Sequence, residues 1–114
     1  MNDLIDKLEA LLHERAPLQA LYGNFGTFDH TRKIILSAER DAERFAAANE
    51  GRKTTEAAID DVARNAESYA TLIARATAER TQLAHLDADI TALEHRISYM
   101  RAQTYENAQL ARMQ

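Results

Sequence analysis

From Lys53 to Gln114 the chain runs sixty-two residues without a glycine or proline, and an apolar residue recurs there on a heptad. Val62, Tyr69, Ala76, Leu83, Ile90 and Ile97 stand seven apart, and Leu72, Leu86, Leu93 and Met100 follow members of that series by three. A period of 3.5 holds one seam of an α-helix toward one partner, so the pattern predicts a long helix packed lengthwise on other helices. At about 1.5 Å per residue, sixty helical residues span on the order of 90 Å, which is far beyond the core of a 114-residue globule. Another part of this chain, or another chain, must cover the seam.

Upstream elements follow from stops and caps. Leu4, Leu8, Leu11 and Leu12 form a helical stripe over 3–15, with Asp3 as cap and Ile5 at the edge. Pro17 removes an amide donor and disfavours helix at Ala16, so the first helix is expected to end there. Residues 17–28 then read as a loop. Gly23 and Gly26 alternate there with Leu18, Leu21, Tyr22, Phe25 and Phe28, a segment that either folds back onto the helices or offers a contact surface. A second helix is expected over 29–49, capped by Thr27 or Asp29, with Ile34, Ile35, Ala38, Ala42, Phe45 and Ala46 inward and Lys33, Arg40 and Arg44 outward. Asn49-Glu50-Gly51 stops it, and Thr54 or Thr55 caps a third helix over 54–112. So short a turn between long helices makes an antiparallel hairpin.

The expected fold is all-α, a single domain over 1–114: an antiparallel helical hairpin with a long C-terminal coiled-coil helix and a short N-terminal helix. Helix two covers only residues 55–76 or so of helix three. The seam beyond it, through Leu83, Leu86, Ile90, Leu93, Ile97 and Met100, is therefore expected to be an oligomer interface, most simply of a homodimer. The competing expectation is a break near Ala78 that folds the helix back. Asn65 and Glu79 interrupt the seam. They either fix register or lie where it is solvated.

Little in the chain points to chemistry. There is no cysteine, so disulfides and thiolate metal sites are excluded. His13, His30, His85 and His95 lack the helical spacings of zinc or di-iron ligands, and neither a phosphate-binding glycine loop nor a nucleophile elbow occurs. No catalytic, cofactor or metal residue is expected, and no enzyme. No apolar run is long enough to span a membrane. Asn2, Asp3 and Asp6 do not resemble a signal peptide, so the expected location is cytoplasmic. Net charge is −4, yet residues 31–53 carry +2, and Lys33, Arg40 and Arg44 share a helix face suited to phosphate. Glu39, Asp41 and Glu43 are interspersed with them.

Two segments carry a resemblance. AERDAERFAAANEGRKTTEAA, beginning at Ala38, and LEHRISYMRAQTYENAQLAR, ending at Arg112, frame an Ala/Arg/Leu-rich helix. Residues 38–112 thereby resemble small all-helical proteins of unknown function encoded by tailed bacteriophages, from which this chain departs by Arg52 in the turn. The resemblance implies a phage source, a setting near replication and recombination genes, and the host cytoplasm as location. It carries no site residues. Two classes stay open: a non-enzymatic structural or adaptor protein acting on an unidentified protein partner, and a nucleic-acid-binding accessory factor using Lys33, Arg40 and Arg44.

Overall fold

The computed structural model describes residues 2–113. It is all-α among these residues, with four helices: α1 (Asn2–Tyr22), α2 (Phe28–Asn49), α3 (Glu56–Asn65) and α4 (Glu67–Met113). Two compact units divide the chain. One joins α1 up to Gln19 with α4 from Thr81 onward, and the other is Ala20–Arg80.

Within Ala20–Arg80 the hairpin of α2 and α3 is built by its caps. Gly51 takes the left-handed conformation (φ 67°), Arg52 N–H bonds the Ala47 carbonyl at 2.9 Å, and Gly51 N–H bonds that of Ala48 at 3.3 Å. This is the double bond of a Schellman stop, and it requires the freedom of glycine. Thr55 then opens α3 by accepting the Ala58 N–H at 3.1 Å. Leu36, Ala63 and Tyr69 form the buried cluster, with Ile35 and Ile73 packed against it.

The expected helix over 54–112 is two helices. At Ala66 the backbone turns extended (φ −61°, ψ 141°), although no glycine or proline is present. Asn65 turns its side-chain amide back onto the Asp61 carbonyl at 2.8 Å, one of the local bonds by which Asn competes with helix. The break rephases the seam. Ile59 and Ala63 are buried before it, Tyr69 and Ala76 after it, and Val62, a heptad position in the sequence, is left 49% exposed. Through Ala78, where a fold-back was the competing expectation, α4 is continuous.

The first helix also departs from expectation. It runs through Pro17 to Tyr22 and leaves only residues 23–27 as a connection, not 17–28. A proline inside a helix removes one hydrogen bond and costs roughly 3 kcal/mol. Both Pro17 and His13, whose carbonyl loses its donor, are exposed, so that carbonyl is open to solvent and not orphaned in a core. Leu18 is buried just beyond, and the Tyr22 hydroxyl donates to Glu79 at 3.2 Å, so the continuation is anchored at both points. Gly26 closes the connection: a Cβ there would lie 2.2 Å from the Leu21 carbonyl oxygen. Phe28 is buried, whereas Phe25 stands fully exposed.

In the other unit α1 lies antiparallel on α4. Arg15 bonds Asp87 at 3.2 Å, and Ile5, Leu8 and Leu12 face Ile97 and Ser98 along one groove. Leu4 and Leu18 of α1 are buried, as are Leu86, Ile90 and Ile97 of α4.

Candidate interaction surfaces

The residues assigned by sequence to an oligomer interface are the core of the α1–α4 pair. Leu86, Ile90 and Ile97 are buried within the single chain, with Ile90 1% exposed, and Leu83, Leu93 and Met100 are half-buried. The cover comes from α1. Its 21 residues, not the expected thirteen or so, are long enough to lie along the seam. Within this seam α1 alone suffices to bury Leu86, Ile90 and Ile97, without a second chain.

The basic stripe is paired throughout. Lys33 Nζ lies 3.1 Å from Asp29. The Arg40 Nε donates to Asp60 at 2.8 Å, and Arg64 reaches the same carboxylate at 2.7 Å. Arg44 donates to Glu56 at 2.7 Å and to Asp41 at 3.0 Å. These bonds follow from the hairpin, which sets the Arg40 and Arg44 side of α2 against the Asp60 and Glu56 side of α3. Hydrogen bonds from Arg64 and then Arg40 hold the Asp60 carboxyl below its ordinary value, and Arg44 does the same to Glu56. Five cations (Arg32, Lys33, Arg40, Arg44 and Arg64) thus share four carboxylates, and the face is close to neutral. A phosphate backbone would meet cations already in charge-assisted hydrogen bonds.

The second helix is rotated from the expected orientation. Phe28, Leu36 and Ala47 are its buried residues. Arg32, Glu39, Arg40 and Glu43 are half-buried beside them. Of the six residues expected inward, Ile35 and Ala46 are partly covered. Ile34 (55% exposed) and Phe45 (69%) face water with Ala38 and Ala42. The expected face holds three alanines beside Ile34, Ile35 and Phe45, so apolar periodicity within the helix selects it. The buried side is set instead by tertiary packing, Leu36 against Ala63 and Tyr69.

Near the α1–α2 connection, the rings of Tyr22 and Phe28 meet tilted at 51° with centroids 5.2 Å apart, and the Arg80 guanidinium lies 4.9 Å from the Phe28 centroid and 5.3 Å from that of Tyr22. Glu79, one of the polar interruptions of the seam, accepts from both Tyr22 and Arg75. Burial first, and then the Glu79 carboxylate, raises the Tyr22 hydroxyl above its ordinary value. Both cations and anions here are consumed by structural contacts.

Among the described residues no three His, Asp or Glu side chains gather as metal ligands, and no helix is long and apolar enough to cross a membrane. The arrangement leaves apolar side chains exposed on helix faces, Ile34 and Phe45 of α2 among them. Comparison of the chain with protein-family models, with curated proteins and with solved structures gives no match.

Proposed function

We propose that this chain is a non-enzymatic structural or adaptor protein that works through helix–helix contacts, as a homodimer that presents the outer face of α2 to a protein partner in the cytoplasm. The observation that carries this reading is the exposure of Ile34 and Phe45, eleven residues apart on one face of α2 with Ala38 and Ala42 between them. Large apolar side chains flanking small ones make a shallow strip into which another helix settles closely. Contiguous apolar strips on a small protein mark binding surfaces more often than chance exposure. The paired state of Lys33, Arg40 and Arg44 favours this reading over nucleic-acid binding.

The test uses Ile34→Asp with Phe45→Asp. Both side chains are exposed, so helix content and melting temperature should change little. Cross-linking in the native host should capture a protein with the wild-type chain and lose it with the double variant. Capture that survives the change would overturn the assignment of α2. Tight, salt-sensitive DNA binding abolished by changing Lys33, Arg40 and Arg44 to Glu would overturn the class.

A further inference from the structure

A groove of about 440 Å³ runs along one side of the α1–α4 pair, lined by Lys7, Ala10 and Leu11 from α1 and by Asp89, Ala92, Leu93 and Arg96 from α4. The two walls carry the same pattern with opposite charge order. Residues 7–14 read Lys-Leu-Glu-Ala-Leu-Leu-His-Glu, and residues 89–96 read Asp-Ile-Thr-Ala-Leu-Glu-His-Arg. Each has a charge, then Ala-Leu at its fourth and fifth places, then the opposite charge at its eighth. Seven residues make nearly two helical turns, so the two charges of each segment lie on one side of the helix about 10 Å apart.

Because α1 and α4 are antiparallel, the two patterns align like charge with like. Lys7 and Arg96 face each other across the groove at one end. The Arg15–Asp87 ion pair sets the level of Glu14 beside that of Asp89 at the other. None of these four charges has an ion-pair partner within the described residues. Like charges placed side by side disfavour the isolated pair, and an oppositely ordered surface relieves them.

That surface exists on a second copy. A two-fold axis through the groove, between Ala10 and Leu11 on one wall and Ala92 and Leu93 on the other, sets Lys7 and Arg96 against the Glu14 and Asp89 level of the second copy. It also sets each alanine opposite a leucine, large into small. On both walls the axis falls at the same level. A self-complementary patch of this kind is what a two-fold dimer requires. We propose that this face, and not the buried heptad seam, joins two copies into an antiparallel four-helix bundle. With α1 at 21 residues the face is about 30 Å long and roughly 20 Å wide. That is on the order of 600 Å² before side-chain relief, near the ~800 Å² per partner of stable interfaces. On the opposite groove α1 contributes Ile5, Leu8 and Leu12, and its only charges are Glu94 and Arg101, both from α4.

The proposal makes specific the homodimer in the reading above, and its test is independent of α2. Two full-length variants are compared with wild type by light scattering: Lys7→Glu with Arg96→Glu, and Glu14→Lys with Asp89→Lys. Wild type should have twice the chain mass of 12.8 kDa. Each variant alone should be monomeric with unchanged helix content, because its face carries four like charges, and an equimolar mixture should return to twice the chain mass. A monomeric wild type, or variants that still dimerise alone, would overturn the proposal. Should a variant unfold, Ala92→Cys decides in the otherwise cysteine-free chain. On mild oxidation it should form a covalent dimer, whereas Ser98→Cys on the opposite groove should not, and the reverse outcome refutes the assigned face. Loss of dimer with partner capture intact would leave the α2 reading standing, and the converse would leave the dimer standing.

Discussion

Ile90→Ala is the sharpest probe of how the heptad seam is covered. Ile90 is the largest fully buried side chain, 1% exposed within the single chain. Replacing it by alanine removes three carbons from the α1–α4 core. At ~0.8 kcal/mol per buried methylene the transfer loss is about 2.4 kcal/mol, and the cavity left between two helices adds to it, for a total of about 3 kcal/mol. Against a typical domain stability of 5–15 kcal/mol this is a large fraction. For a chain of 114 residues it lowers the melting temperature by roughly 12 °C, taking about 4 °C per kcal/mol. The assay is urea and thermal unfolding followed by circular dichroism, with Val62→Ala as control. Val62 holds the equivalent heptad position but is half exposed, and its loss should stay within about 0.5 kcal/mol. The deficit at Ile90 should persist in the Lys7→Glu, Arg96→Glu background and across dilution, since the burial is within one chain. A loss under ~1 kcal/mol, or one that grows on dilution in that background, would refute the intrachain cover and restore the seam to an intermolecular contact.

Other changes read out the turns and the ion pairs. Gly51→Ala should cost about 1–2 kcal/mol in chemical unfolding, because residue 51 sits at φ 67° where a Cβ is strained even though space around it is open. Gly26→Ala should be at least as damaging for a different reason, a clash with the Leu21 backbone, and hydrogen exchange near the α1–α2 connection should rise first. Asp60 titrates below its ordinary value of 3.8 when folded, so its contribution is present above that pH and is lost as pH falls through its lower folded value. Asp60→Asn should therefore flatten the stability profile below about pH 4 and leave a constant deficit at neutral pH, measured by urea unfolding at a series of pH values. The Tyr22 hydroxyl titrates above 10.0, so Tyr22→Phe should remove part of the stability lost at strongly alkaline pH.

The helical class, the hairpin and its Gly51 and Thr55 caps were legible because each rests on local chemistry: a heptad, a left-handed stop, a hydroxyl acceptor. The misreadings came from places where tertiary contacts overruled a local signal. Pro17 reads as a terminator, yet Leu18 and Tyr22 are held beyond it, and the lost hydrogen bond lies on an exposed face open to solvent. Ala66 carries no breaker signal of its own. Asn65 bonds back to Asp61 just before the turn, and an Asn in a helical run is too common a residue to mark one. Likewise the stripe of Lys33, Arg40 and Arg44 was legible as a stripe, but its carboxylate partners at Glu56 and Asp60 lie across a turn.

These errors were linked. A heptad states that a seam is covered and is silent on which chain covers it. That depends on the length of α1, and the length of α1 depended on Pro17. Once α1 is allowed 21 residues it lies along α4 and buries Ile90 and Ile97, and the case for a dimer through that seam falls. Two helices alone nevertheless bury only one side of each, so the flanks of the α1–α4 pair remain to be covered or solvated. On one flank the charges of α1 are Lys7 then Glu14, and those of α4 are Asp89 then Arg96. In an antiparallel pair this order sets like against like, an arrangement without benefit to the single chain and complementary to its own copy.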